Sequence, residues 1–101
     1  MTSKVYTIDE IKSIAAPIAK HYGIAALYLF GSYARGEATP ESDLDFRVDR
    51  GSIVDLFELG GLYSDLEECF QKKLDILTTP MLSSKFLERI RPEEVLIYAK
   101  A

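Results

Sequence analysis

The chain has 101 residues, 48% hydrophobic and 28% charged, a balance that suits one compact domain over residues 1–101 with a single core. Its net charge of −4 and the lack of a sustained basic run do not predict tight binding to a nucleic-acid backbone by electrostatics alone, so direct nucleic-acid binding is not expected without a partner that helps hold it. No apolar run reaches the roughly 20 residues of a membrane span, and Met1-Thr2-Ser3-Lys4-Val5 has no apolar signal-peptide region, so a cytoplasmic protein without membrane association is expected.

Thr7-Ile8-Asp9-Glu10 has the form of a capping box and opens an amphipathic helix whose apolar positions are Ile8, Ile11, Ile14, Ala15, Ile18 and Tyr22. Pro17 falls inside that pattern and predicts a kink or restart, and Gly23 is placed to end the helix. His21, the sole histidine, reads as a cation near the helix C-terminus rather than a catalytic base. Ala25 to Phe30 is an apolar run of strand length, Gly31 to Glu37 a turn and short helix, and Gly36 to Ser42 a loop rich in turn formers. Asp43 to Val48 alternates polar and apolar residues as a strand with one polar face.

After the turn at Asp49-Arg50-Gly51-Ser52, Ser52 is a candidate N-cap for a second long helix with the stripe Leu56, Leu59, Leu62, Tyr63, Leu66 and Phe70. Gly60-Gly61 weakens that helix by about 1 kcal/mol per glycine, which predicts close packing or a bend there. Cys69 can form no internal disulfide, has no zinc-ligand neighbours and is expected as an inert, partly buried thiol. Leu74 to Thr78 reads as a third strand, Ser83 to Arg91 as a helix, and Val95 to Tyr98 as a short closing strand. The order implies an α/β or α+β fold: a small mixed sheet with helices packed on one face.

Two segments carry chemistry. Phe30-Gly31-Ser32-Tyr33-Ala34-Arg35-Gly36 brings an apolar strand to a Gly-Ser turn, where an unobstructed backbone and a hydroxyl can hold an anion. In Ser42-Asp43-Leu44-Asp45-Phe46, the i, i+2 spacing on a strand points both carboxylates to one face with their Cα atoms about 6 to 7 Å apart, which suits one or two Mg²⁺ ions. Asp75 is the lone acid in an apolar run and needs water, a shared metal, or an ion pair with Arg47, Lys72 or Lys73. Together these parts suit metal-assisted phosphoryl or nucleotidyl transfer. Arg47 lies on the same strand face as Asp45 and could bind a phosphate or pair with a carboxylate and compete with metal. Arg35 could hold a phosphate or pair with Glu37 or Glu41, and Tyr33 could stack on a base or simply pack.

Gly31-Ser32, ten residues, Asp43-x-Asp45 and a later strand carboxylate resemble the nucleotidyltransferase superfamily that includes DNA polymerase β, and within it the minimal nucleotidyltransferases, abbreviated MNT. The resemblance implies a polymerase β palm-like nucleotidyltransferase fold. It implies that Gly31 and Ser32 hold a nucleotide triphosphate, with Arg35 a further phosphate contact, and that Asp43, Asp45 and Asp75 ligate two Mg²⁺ ions, Asp75 serving the acceptor hydroxyl. The resemblance further implies an all-helical HEPN partner, often a toxin, with the nucleotidyltransferase as antitoxin, in some systems by transferring AMP from ATP to a tyrosine of the toxin. Protein adenylylation of such a partner is therefore the expected activity. The alternatives are a catalytically weak module that masks a toxin by contact, or transfer to a small molecule. Homo- or hetero-association is left open, with Phe86 and Leu87 as candidate surface positions.

Overall fold

The computed structural model describes residues 4–51 and 55–100. Helix α1 spans Ile8–Tyr22 and begins with the expected capping box: Glu10 N–H donates to Thr7 Oγ1 at 3.1 Å while Thr7 N–H donates to Glu10 Oε1 at 2.9 Å. Gly23 ends it in the left-handed region at φ 70°, a conformation that lacks a steric penalty only for glycine. The helix runs through Pro17 without a restart. Pro17 and Ser13, whose carbonyl the missing N–H would have met, both lie on the exposed face, where water can serve that carbonyl.

Strands β1 (Ala26–Phe30), β2 (Leu44–Asp49), β3 (Leu74–Thr78) and β4 (Val95–Ala99) form one mixed sheet in the order β3-β2-β1-β4. The pairs β1–β2 and β1–β4 are antiparallel, and β2–β3 is parallel. A parallel neighbour requires a crossover, and helix α3 (Leu56–Phe70) supplies it. The N-cap of α3 is Asp55, whose carboxylate accepts from Glu58 N–H at 2.8 Å; the N-cap role expected of Ser52 lies outside the described residues. The final apolar run is the strand β4, as expected, with a bulge opposite Leu27 and Tyr28.

The two long helices cover one face of the sheet. Ile11, Ala15 and Ala19 of α1 and Leu62, Leu66 and Phe70 of α3 bury against Leu27, Leu29, Leu44, Phe46, Val48 and Leu74. Each large aliphatic or aromatic side chain so buried contributes about 1.5–3 kcal/mol. Gly61 explains part of the glycine pair: a Cβ there would meet Tyr22 Oη at 2.8 Å, so the residue admits the tyrosine of α1, which donates to Asp65 Oδ2 at 2.6 Å. Gly60 faces open space, and α3 continues through both glycines. The stripe read for α3 extends one residue too far, since Leu56 is exposed. Cys69 is also exposed rather than partly buried.

The opposite sheet face carries the alternate residues of each strand. Helix α4 (Ser84–Ile90) touches it where Phe86 meets Phe30 edge to face, with ring centroids 5.9 Å apart. Among the described residues, no helix is long and apolar enough to cross a membrane.

Candidate active site

Antiparallel pairing brings the C-terminal end of β1 beside the N-terminal end of β2, with Phe30 opposite Asp45. Parallel pairing then sets Asp75 of β3 beside Asp45 in register. Three chain segments thus converge at one end of the sheet: the Gly31-Ser32 turn, Asp43 with Asp45, and Asp75. Asp43 and Asp45 are half-buried, and Asp75 is exposed. Burial, followed by the charge and hydrogen bond of Asp75 and the charge of Asp43, pushes the Asp45 carboxyl up from 3.8 to about 6, while Arg35 opposes the shift. Asp45 is therefore a weaker acid than an ordinary carboxyl, because burial and the neighbouring carboxylates Asp75 and Asp43 all disfavour its ionised form.

Gly31 adopts φ 77° and ψ −157° and leads into the single-turn helix α2 (Ser32–Arg35). A Cβ at Gly31 would collide with Asp45 Oδ2, so only glycine lets the turn close on this carboxylate. Ser32 is half-buried at the same turn. Gly36 ends α2 at φ 74°. The loop back to β2 is held by Thr39 N–H donating to Ser42 Oγ at 2.8 Å, and by Lys72 Nζ donating to the Pro40 carbonyl at 2.9 Å.

The donors of this turn already have an acidic partner. Gly31 N–H donates to Glu93 Oε2 at 2.6 Å, and Arg35 Nη1 reaches the same oxygen at 3.1 Å. Arg35 Nε donates to Glu37 Oε1 at 2.9 Å. The ion pair expected for Arg35 thus forms with Glu37, but its second acid is Glu93 rather than Glu41. Among the described residues Asp75 stands beside Asp45 and forms no ion pair with Arg47, Lys72 or Lys73: Lys72 is engaged by Pro40, and Arg47 turns elsewhere.

Arg47 does lie on the sheet face of Asp45, yet it is directed to a separate network. Its Nε donates to Glu94 Oε2 at 2.6 Å, its Nη2 to Glu94 Oε1 at 3.0 Å and its Nη1 to Thr79 Oγ1 at 2.8 Å. The guanidinium lies 4.2 Å from the Tyr28 ring centroid. The Glu94 hydrogen bond raises its already high pKa, so it stays charged despite burial. It competes with no metal at Asp43, Asp45 or Asp75. Tyr33 is buried in the core rather than available to a base, and its hydroxyl makes no hydrogen bond of acceptable geometry, with the Tyr6 backbone alongside.

Glu93 and Glu94 are the residues that sequence reading missed. A signal was present, because an arginine at an interior strand position requires a carboxylate, and Arg91-Pro92-Glu93-Glu94 is an acidic turn between two apolar runs.

Among the described residues, no three His, Cys, Asp or Glu side chains stand close enough together to form a ready metal cluster. The donor chemistry nevertheless fits a hard divalent cation: oxygen ligands at one sheet end, where burial and the crowding of Asp45 by Asp75 and Asp43 disfavour its negative charge and a cation would offset that. The residues that could hold Mg²⁺ are these three.

Known proteins are similar to this chain in sequence and in fold. A relative in Methanocaldococcus jannaschii, provisionally named a protein adenylyltransferase, is 38% identical over 88 residues, spanning 87% of this chain and 95% of its own. The protein adenylyltransferase MntA of Thermococcus cleftensis is 30% identical over 95 residues, spanning 90% of this chain and 96% of its own. In a solved complex of tri-AMPylated Shewanella oneidensis HEPN toxin with MNT antitoxin, a chain superposes with a TM-score of 0.69 at 14% identity, over 93% of this chain and 74% of that one, which speaks for the fold. Residues 12–101 match the family described as polymerase beta, nucleotidyltransferase; the chain belongs to this family and is a nucleotidyltransferase.

Proposed function

We propose that this nucleotidyltransferase moves AMP from ATP onto a hydroxyl of an all-helical HEPN-type protein, in the cytoplasm, and so acts as its antitoxin. The observation that carries the reading is the meeting of Gly31 with Asp45, and of Asp45 with Asp75, at one end of the sheet. Protein adenylyltransferase relatives supply the acceptor class, and the Shewanella complex supplies the kind of partner.

In this reading Gly31 N–H, Ser32 Oγ and Arg35 bind the triphosphate and orient its α-phosphorus toward the acceptor. The acceptor oxygen forms a bond to that phosphorus as the bond to pyrophosphate breaks. Asp75, the most open of the three acids, is the one an acceptor hydroxyl can reach, and it helps take its proton. Asp43, Asp45 and Asp75 would hold two Mg²⁺ ions, which supply charge stabilisation for the phosphates when bound.

The test incubates the purified protein with labelled ATP, Mg²⁺ and a HEPN-type protein of the same organism. Label on the partner, lost in Asp43→Ala/Asp45→Ala, is the expected result. No label, together with undiminished toxin neutralisation by that variant, refutes the enzymatic reading in favour of masking by contact. Pyrophosphate release with aminoglycoside acceptors alone would move the acceptor class to small molecules.

A further inference from the structure

The Gly31 turn holds an anion that belongs to the chain itself. Glu93 stands 62 residues away in sequence, in the turn between α4 and β4, yet its carboxylate takes the Gly31 N–H at 2.6 Å and Arg35 Nη1 at 3.1 Å. The placement is built rather than incidental. Glu93 and Glu94 both donate their backbone N–H to the Ile90 carbonyl at 3.0 Å, which tightens the turn. Glu94 then anchors it to the buried Arg47, so adjacent carboxylates are sent in two fixed directions. Glu93 is the more open of the two, with 23% of its side chain exposed against 6% for Glu94, and can leave without unpicking the anchor.

We propose that Glu93 is an internal competitor for the phosphate grip: it occupies Gly31 N–H and Arg35 in the ligand-free protein, and a nucleotide phosphate displaces it to bind. This rests on the nucleotide reading given above and adds to it a residue that sets affinity. A single N–H cannot serve a carboxylate and a phosphate at full strength, and two anions cannot share Arg35 beside Asp43, Asp45 and Asp75 without repulsion. Glu93 spares the turn an unsatisfied donor while the site is empty. The apparent affinity for nucleotide is reduced by the fraction of molecules in which Glu93 is seated.

Calorimetric titration with MgATP tests this on the full chain as wild type, Glu93→Ala, Glu93→Gln and Glu88→Gln, the last removing one exposed acid from α4 as a charge control. Glu93→Ala is expected to bind about tenfold tighter, with Glu93→Gln also tighter, since its neutral amide is a weaker rival for the same donors. Glu88→Gln should stay within about twofold of wild type because its charge is solvated. Should Glu93→Ala fail to fold, Glu93→Gln decides. In nuclear magnetic resonance spectra of the wild type, the Gly31 amide should leave its position on adding MgATP. Binding by Glu93→Gln no tighter than a measurable wild-type affinity overturns the proposal while leaving the nucleotide reading intact. No binding by any folded variant overturns both.

Discussion

The buried pair Arg47–Glu94 offers the sharpest test of how this fold is held together. Only 7% of the arginine side chain and 6% of the glutamate side chain are exposed, and both carboxylate oxygens accept from the guanidinium, at 2.6 and 3.0 Å. Glu94→Ala removes both acceptors. The cation is then left with the Thr79 hydroxyl at 2.8 Å and the Tyr28 ring at 4.2 Å. An uncompensated buried charge costs about 3–5 kcal/mol, a fifth or more of the roughly 5–15 kcal/mol that holds such a domain together. With a urea slope of about 1–3 kcal/mol per molar, the unfolding midpoint should fall by about 2 M. Equilibrium urea unfolding followed by circular dichroism measures this, with Arg47→Met/Glu94→Leu as the companion. That double variant removes the charge with its partner and should lie within about 1–2 kcal/mol of wild type, because well-packed apolar replacements of buried pairs are often neutral. A Glu94→Ala cost below about 1 kcal/mol, typical of exposed pairs, would refute the view that the guanidinium is desolvated. Equal losses in the single and double variants would assign the effect to packing instead of charge.

Gly31→Ala combines a positive φ with a collision against Asp45 Oδ2, so it should cost about 1–3 kcal/mol in thermal unfolding and abolish MgATP binding in calorimetry. Gly60→Ala, in open space, should raise stability by about 0.5–1 kcal/mol through helix propensity, whereas Gly61→Ala, meeting Tyr22 Oη at 2.8 Å, should lower it by about 1–2 kcal/mol; melting temperatures of the two separate them. Because the folded-state pKa of Asp45 is raised from 3.8 to about 6, the folded protein holds this proton more tightly than the unfolded chain. The resulting stability is present below the lower value and lost as pH rises through the higher one. In chelator, wild type should therefore lose about 1–2 kcal/mol relative to Asp45→Asn between those values, after allowance for solvent screening, as read from melting curves across that range.

Much of the fold was legible because its determinants are local. The capping box at Thr7 and Glu10, the stop at Gly23 and the alternation from Asp43 to Val48 each depend on neighbours a few residues apart. Pro17 shows the limit of local reading: its cost depends on whether the freed carbonyl meets water, and it lies on the outer face of α1. Leu56 shows another, since an apolar stripe does not say where the covering layer ends. At the candidate site, the period of the strand predicted the polar face that carries Asp45 and Arg47, Asp43 lies just before the strand and acts on Asp45 by its charge, and the apolar setting of Asp75 predicted that it needed company.

By itself the sequence determined the strand that carries Asp45, the Gly-Ser turn before it and the family to which both point, whereas Asp43, expected inside that strand, precedes its first residue Leu44. Tertiary structure alone decided who meets whom: Asp75 with Asp45 through the parallel register, Arg47 with Glu94 across 47 residues, and Glu93 with Gly31 across 62. Turns and periodicity are written in nearest neighbours, whereas a partner for a buried charge is chosen by sheet order and by the direction in which a distant turn is packed.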